Sequence, residues 1–341
     1  MYLISPHKKQ HKANLHCHST VSDGQLTPEQ LKELYRGYGY DILAITDHES
    51  AKSHCELSDP EFLMLTGYEC YIRPTENCKY DSYLPEIHLN LFARDPKNET
   101  MICYNPSCCK YLDISLHDSL KKAGSQRPRE YSRAYINEYI RTAQENGYIV
   151  AYNHPAWSME TEEDILACEG CFSLEMCNYG SWLSNRLEYN GVLYDKMLRA
   201  GKRVFCHSGD DNHNKAPESD PEWDSGGAFT MILSDELTYD SVFRALETGE
   251  MYSSMGPVFK EVSIVGDQLH VECSEVASIH VFTGGKKTVR KYAAKGEALT
   301  GADFTIDERA LYVRVSIADR EGRVADTRGY FRDELGLPPL N

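Results

Sequence analysis

Residues 41–46 (DILAIT) form a short, almost wholly apolar run that stops abruptly at Asp47-His48. Such a run, with no polar alternation, predicts a strand buried on both faces, and a strand of that kind needs cover on each side of its sheet. The preceding segment supplies one cover. Thr27 can cap a helix that starts at Pro28, with Gln30 placed to complete a capping box. Leu31, Leu34, Tyr35 and Tyr38 follow at helical spacing, and Gly37 or Gly39 ends the run. Upstream, Ala13, Leu15 and Cys17 alternate as in a half-buried strand, so His16 and His18 share one face, about 7 Å apart. The result is a β-α-β unit with ionisable residues collecting at the C-terminal ends of its strands.

The same grammar continues along the chain. A strand over 62–68 runs into Glu69, and one over 86–92 places His88, Asn90 and Phe92 on one face. The segment between them is short for a parallel crossover, which predicts a hairpin-like antiparallel pair with Glu69 and His88 facing each other. A helix near 130–146 precedes a strand over 148–152 that ends in Asn153-His154-Pro155. A capped helix near 161–168 leads to a strand over 172–177 and then Asn178. Another helix over 186–200 precedes a strand over 203–206, which opens into His207, Asp210, Asp211 and His213. A strand over 228–233 and a Thr238-capped helix ending at Gly249 close this region. Alternation of this kind predicts an α/β barrel with its site at the C-terminal strand ends.

From about residue 256 the pattern changes to period two, in segments near 262–265, 270–273, 279–282 and 312–317, separated by glycine turns. The expected organisation is therefore a barrel over 1–255 and a small all-β, sandwich-like domain over 256–341. Residues 94–127 are weakly periodic, and an insertion of that length between core elements reads as a lid or substrate loop.

Composition narrows the function. Across 341 residues the formal charge is −16, which opposes binding to a nucleic-acid polymer. No apolar run reaches the length of a membrane span, and the N-terminus has no signal-peptide stretch, so a cytoplasmic protein with no membrane partner is expected. The twelve cysteines are scattered, several inside predicted strands, as buried free thiols would be. Cys168-x-x-Cys171 has no second pair to complete a structural zinc site.

An isolated His-x-His is most simply a pair of hydrogen-bonded core histidines. Here, however, His16, His18, Asp23, His48, Glu69, His88, His154, Asp211 and His213 gather at successive strand ends. Imidazoles and carboxylates are ligands shared by Zn, Mn and Fe ions. They are too many for one tetrahedral ion, which predicts a cluster of two or three divalent metals.

These motifs together resemble the PHP (polymerase and histidinol phosphatase) family. The match lies in His16-x-His18 with Asp23-Gly24, Thr46-Asp47-His48, Gly67-Tyr68-Glu69, His88, Asn153-His154-Pro155 and Asp211-x-His213. It covers roughly residues 12–250 and, with the following β region, is most similar to the bacterial metal-dependent phosphoesterase type. The resemblance implies a distorted (β/α)7 barrel with a trinuclear site. It implies that His16, His18, Glu69 and Asp211 hold one ion. Glu69 would bridge to a second held by His88 and His154, while Asp23, His48 and His213 hold the third. The chain departs from the family at Gly209, which is followed by two aspartates; the D-x-H spacing selects Asp211. A second departure is Asp23, where some relatives carry histidine.

The expected chemistry is hydrolysis of a small phosphomonoester or phosphodiester by a metal-bridging hydroxide, with the metals also offsetting charge on the phosphate oxygens. Asp47, His207 and Asp210 are candidates for the acid that protonates the leaving alcohol. Asn178 and Glu175 are expected to border the pocket, with Arg186, Arg133 and Lys215 as candidate phosphate-binding cations. Tyr152, Trp157 and Trp182 are candidates for stacking on a base or sugar. Two alternatives keep the metals: attack on an amide, ester or carbamate carbonyl, and a non-catalytic metal-stabilised module. A homo-oligomer is compatible with the sequence.

Overall fold

The computed structural model describes residues 1–75 and 79–338. In chain order the first half comprises β1 (Tyr2–Ile4), β2 (Gln10–Asn14), α1 (Pro28–Gly37), β3 (Ile42–Ile45), β4 (Leu63–Ile72), β5 (Ile87–Ala93), β6 (Met101–Ile102), β7 (Lys122–Ala123), α2 (Arg133–Glu145) and β8 (Tyr148–Tyr152). Then come α3 (Glu162–Ala167), β9 (Ser173–Asn178), α4 (Tyr179–Asn185), α5 (Gly191–Arg199), β10 (Phe205–Gly209), β11 (Phe229–Leu233), α6 (Tyr239–Thr248) and β12 (Met251–Ser254). The C-terminal part is β13 (Phe259–Val265), β14 (Gln268–Val276), β15 (Ser278–Phe282), β16 (Val289–Tyr292), β17 (Leu299–Thr305), β18 (Tyr312–Ala318), β19 (Val324–Thr327) and β20 (Tyr330–Phe331).

The helix boundaries follow their local chemistry. Thr27 and Gln30 form the capping box at α1, with Pro28 at the start. Thr161 and Asp164 do the same for α3. Ser132 and Thr238 cap α2 and α6, and Gly249 ends α6 in the left-handed conformation. The helix expected over 186–200 begins later, as α5, and a separate helix that was not expected, α4, precedes it. Arg186 takes φ +60° and stops α4, because the loop that follows turns Glu188 and Asn190 inward to bond backbone groups of 156, 157 and 175.

Fourteen strands form one mixed sheet in the order β10-β9-β8-β5-β4-β3-β2-β11-β12-β19-β18-β15-β16, with β20 on β18. Parallel ladders join β2-β3-β4 and β8-β9-β10. Between these blocks, β4 pairs antiparallel with β5, and β5 with β8. The α/β class holds, whereas the expected (β/α)7 barrel is not what the ladders form: among the described residues no strand ladder joins β10 to β2. The reason is that residues after Asn14 leave the strand, and the approach is made by one isolated bridge, Cys17 to Asn212. The expected antiparallel pairing of β4 with β5 is present, and among the described residues between them there is no crossover helix.

The period-two region builds two antiparallel layers. One continues the large sheet through the β12–β19 ladder. The other is a four-stranded sheet, β1-β13-β14-β17, into which the first strand of the chain is drawn. The core here packs Leu3 and Ile4 with Val262, Ile264, Val271 and Ile317. The insertion over 94–127 carries the small β6–β7 pair, and Met101, Ile102, Cys103 and Tyr104 sit in the core under α2.

Candidate metal centre

The C-terminal ends of β2, β3, β8 and β10, the start of β5 and the middle of β4 converge on a single point. Residues 15–18 run across the mouth of the sheet, held by Asp211 N–H to the His16 carbonyl (2.9 Å) and His18 N–H to the Asn212 carbonyl (3.1 Å). The Thr46 hydroxyl and amide brace Cys17 from the other side (3.1 and 2.7 Å). This extended path keeps the His16 and His18 rings on one face, 5.4 Å apart, but both are fully buried where a half-buried strand was expected. Two glycines permit the close approach. A Cβ on Gly209 would lie 2.7 Å from the His16 Cβ, and one on Gly24 would lie 2.3 Å from the His18 carbonyl oxygen.

Glu69 is the centre of the arrangement. It lies inside β4, because that strand runs to Ile72 where an end near 68 was expected. Its Oε1 is 3.0 Å from His88 Nδ1 and 3.2 Å from both His16 Nε2 and His154 Nε2. Its Oε2 is 2.9 Å from His48 Nδ1 and 3.5 Å from His18 Nε2. One buried carboxylate therefore touches five imidazoles. Asp211, held at φ +52°, turns its Oδ1 to within 2.9 Å of His18 Nε2 and 3.2 Å of His16 Nε2. Asp23 faces His213 Nε2 at 3.3 Å and His48 Nε2 at 3.8 Å.

Ligand atoms thus gather in three overlapping groups: His16, His18, Glu69 and Asp211; His18, Asp23, His48 and His213; and His48, Glu69 and His88. The first group has the membership implied by the resemblance. The second adds His18 to Asp23, His48 and His213. In the third, His48 joins Glu69 and His88, while His154 Nε2 faces Glu69 from the side of His16.

The orphaned atoms test whether cations suit this set. His16 Nε2, His18 Nε2, His48 Nδ1, His88 Nε2 and Glu69 Oε2 are buried without a hydrogen-bond partner, although several lie within 3.5 Å of one another. Buried polar atoms left so cost free energy unless something else satisfies them. Lone pairs facing one another around carboxylates are what divalent ions require. The residues fit.

Three of the outer ring nitrogens are fixed by partners, as ligating imidazoles need. Glu175 Oε1 accepts from His16 Nδ1 (3.0 Å), Ser158 Oγ meets His154 Nδ1 (3.2 Å), and the Asp211 carbonyl meets His213 Nδ1 (3.0 Å). Glu86 lies behind His88, 3.3 Å from its Nε2.

The electrostatics follow from the crowding. Burial raises the Glu69 carboxyl, but the charges of His88, His16 and His48 and the hydrogen bond from His154 outweigh it and hold the group well below its usual range. Asp211 and Asp23 are depressed in the same manner, against the desolvation that opposes it, by His16 and His18 and by His213 and His48 respectively. His18 is lowered as well, to about 4, through burial and the neighbouring His48 and His213, which for an imidazole favours the neutral form. The carboxylates are thus ionised and the central imidazole is neutral across the working range.

A cleft of about 870 Å³ opens above this cluster, floored by Asp23, His48, Glu69, His88, His154, Asp211 and His213. Its walls carry Tyr71, Arg73, Tyr80, Lys110, Tyr111, Trp157, Arg186 and Lys215. Arg186 and Lys215 were expected near the site; Arg73, Lys110 and the tyrosines were not, since nothing in their local sequence marks them. Tyr111 stacks over His48 with ring centroids 6.3 Å apart, and Trp157 sits edge-on to His88 and His154.

Other sequence-selected residues take different places. Asn178 bonds Asp211 Oδ2 (3.0 Å) and Glu175 Oε2 (3.1 Å), so it and Glu175 hold ligands rather than border the cleft. Asp47 accepts from the amide and hydroxyl of Ser19 and of Ser22, clamping the turn after His18. Asp210 accepts from the amides of 226, 227 and 228 and from the Tyr35 hydroxyl. His207 lies within β10, fully buried against Ser173, and burial lowers it to about 4. None of Asp47, His207 and Asp210 lines the cleft. Arg133 pairs with Glu163 on the surface, Tyr152 is buried in the core, and Trp182 packs under Arg186.

Comparison with known proteins gives limited likenesses. No family model matches the chain. A 5'-3' exoribonuclease of Haemophilus influenzae is 26% identical over 143 residues, which are 41% of this chain and 50% of that protein. The chain thus spans about half the length of this curated relative. Among solved structures, a two-domain protein from Bacteroides vulgatus containing a predicted PHP-like metal-dependent phosphoesterase is 14% identical, with TM-score 0.44, over 95% of this chain and 87% of that one. An amidohydrolase from Chromobacterium violaceum with bound sulfate is 17% identical, with TM-score 0.43, over 70% of this chain and 96% of that one. Among the described residues no helix is long and apolar enough to cross a membrane.

Proposed function

We propose that the chain is a PHP-type metal-dependent hydrolase that cleaves a small phosphate ester at two or three divalent ions. The observation that supports this most directly is Glu69, which offers both oxygens to five imidazoles under an open cleft while its Oε2 and three of the ring nitrogens facing it lack partners. Zn, Mn or Fe ions bound there would supply Lewis acidity and lower the pKa of water toward neutrality. His16, His18, Glu69 and Asp211 would hold one ion. Glu69 with His88, and His48 or His154, would hold a second, and Asp23, His48 and His213 a third.

The chain's own residues supply the rest. Lys110, Arg186 and Lys215 stand on the cleft wall beside Glu222 and Asp224, and with metal ions offsetting the floor carboxylates these cations would favour an anionic substrate. Tyr111 and Trp157 flank the ligating histidines with apolar ring faces and restrict water at the floor. Among side chains with an acidic proton, Tyr111 lines the cleft, Tyr71 gives its hydroxyl proton to the Cys108 carbonyl, and Asp47, His207 and Asp210 are turned away. We place leaving-group protonation with a cleft tyrosine or with water.

The test is metal content by elemental analysis of the purified chain, with turnover on a panel of phosphomonoesters, phosphodiesters, amides and carbamates. Bound divalent metal with phosphoester turnover is expected. Turnover confined to amides or carbamates would overturn the substrate assignment, and full metal occupancy with no turnover would favour a non-catalytic module.

A further inference from the structure

The insertion does more than wall the cleft. Just after it, Arg129 enters the interior with its side chain 1% exposed and forms a two-pronged ion pair with Glu49, whose side chain is fully buried. Arg129 Nη2 donates to Glu49 Oε2 at 2.8 Å, and Nη1 donates to Oε1. Glu49 is the residue after His48 and is held at φ +50°, a conformation that a side chain longer than asparagine rarely takes. Something must hold it there.

The pair clips the backbone of both ligand strands. Glu49 N–H donates to the Glu69 carbonyl (2.8 Å), and His48 forms a bridge with Glu69. Two residues further along β4, the Tyr71 N–H donates to Glu49 Oε1 (3.0 Å), while Arg129 Nη1 donates to the Tyr71 carbonyl (2.6 Å). One ion pair therefore holds both sides of a single peptide position and fixes how the His48 turn sits against Glu69. Tyr71 in turn donates its hydroxyl to the Cys108 carbonyl in the insertion (2.9 Å).

We propose that Arg129 and Glu49 are positioning residues that set the geometry of His48 against Glu69, so that occupancy of the ions these two ligands hold depends on this buried pair. The inference rests on the metal-centre reading above. Neither residue touches the cleft or the ligand atoms; each acts through backbone. The ion held by His16, His18, Glu69 and Asp211 has three of its four ligands on the segments after β2 and β10, which the pair does not touch, and is affected less.

The experiment is titration of the full metal-free chain with Co(II), following the visible d–d bands and the bound stoichiometry, for wild type, Arg129→Lys, Arg129→Met and the double variant Glu49→Gln/Arg129→Met. The double variant leaves no unpaired buried charge and so keeps the test open if Arg129→Met does not fold. The affinity of the weaker Co(II) step is expected to fall about 10- to 100-fold in Arg129→Met and the double variant, the range seen when a ligand's support is lost. The tightest step should change little, and Arg129→Lys should recover part of the loss. Folded variants that bind every Co(II) with wild-type affinity and spectrum would overturn the positioning role. A wild-type chain that binds no Co(II) would instead overturn the metal-centre reading and this inference with it.

Discussion

Glu175 offers the sharpest perturbation of the centre, because a near-isosteric change there acts through one proton. Its Oε1 accepts from His16 Nδ1 at 3.0 Å, and its Oε2 accepts from the His154 amide at 3.0 Å and Asn178 Nδ2 at 3.1 Å. Burial raises this carboxyl, but the charge and hydrogen bond of His16 outweigh it and keep the group below its usual range, hence ionised. In Glu175→Gln the amide has two orientations. With its oxygen toward His16, its NH2 meets two donors, and each donor left unsatisfied costs about 1–3 kcal/mol. With its oxygen toward His154 and Asn178, only His16 Nδ1 faces a donor, and moving the His16 proton to Nε2 relieves that conflict. The second orientation wins on these magnitudes. The shifted proton then sits on the nitrogen 3.2 Å from both Glu69 and Asp211, where it makes good hydrogen bonds and blocks metal ligation. The metal-free variant should therefore be as stable as wild type, while metal affinity falls about 10- to 100-fold, or about 1.4–2.8 kcal/mol. Chelator-competition titration measures the affinity, and thermal unfolding with and without metal measures the stability. Affinity within about twofold of wild type in the folded variant would refute the tautomer argument.

Other perturbations bear on different parts of the centre. Glu69→Ala and His48→Ala should each abolish turnover while leaving the far-UV dichroism near wild type; activity retained in both would sink the shared-ligand arrangement. Gly209→Ala places a methyl 2.7 Å from His16 Cβ and 3.0 Å from its amide nitrogen, a clash with backbone that cannot give, so a loss of about 1–3 kcal/mol and weakened metal binding are expected by denaturant titration and Co(II) uptake. Metal removal should lower the melting temperature, since the ligands tie β4 and β5 to the loops after β2, β8 and β10; saturation at about 100 times Kd returns about 2.7 kcal/mol. Equal melting with and without chelator would argue against bound metal. Glu160 carries a carboxyl pushed up to about 8 by burial, so the folded chain holds a proton there that the unfolded chain releases near 4.5. Stability from this group is full at low pH and declines as pH rises toward 8. Glu160→Gln should match wild type near pH 5 and exceed it near pH 9, read by melting temperature across that range.

Which features were legible follows from how local their causes are. The caps at Thr27, Thr161 and Thr238 depend on residues three positions apart, and they fold as read. The ligand residues were legible because imidazole and carboxylate have few reasons to recur after strands, whatever the distance between them. Glu175 was read as bordering the pocket, whereas its contact with His16 spans 159 positions and cannot be inferred from spacing. The same limit hid Arg129 and Glu49, 80 positions apart, each of which reads alone as a surface charge. It also hid the end of β4: the antiparallel partner β5 was expected, but the local run over 62–68 does not mark that pairing continues past Glu69 to Ile72. Sheet closure failed as an expectation for a related reason. The rule that strand and helix alternate fixes which elements neighbour one another, but the approach of β10 to β2 is decided by where the chain leaves the ladder after Asn14. It leaves there so that His16 and His18 can bond backbone to Asp211 and Asn212. The regular sheet thus ends where the ligands begin, and the irregularity that defeats the fold rule is the one that assembles the site.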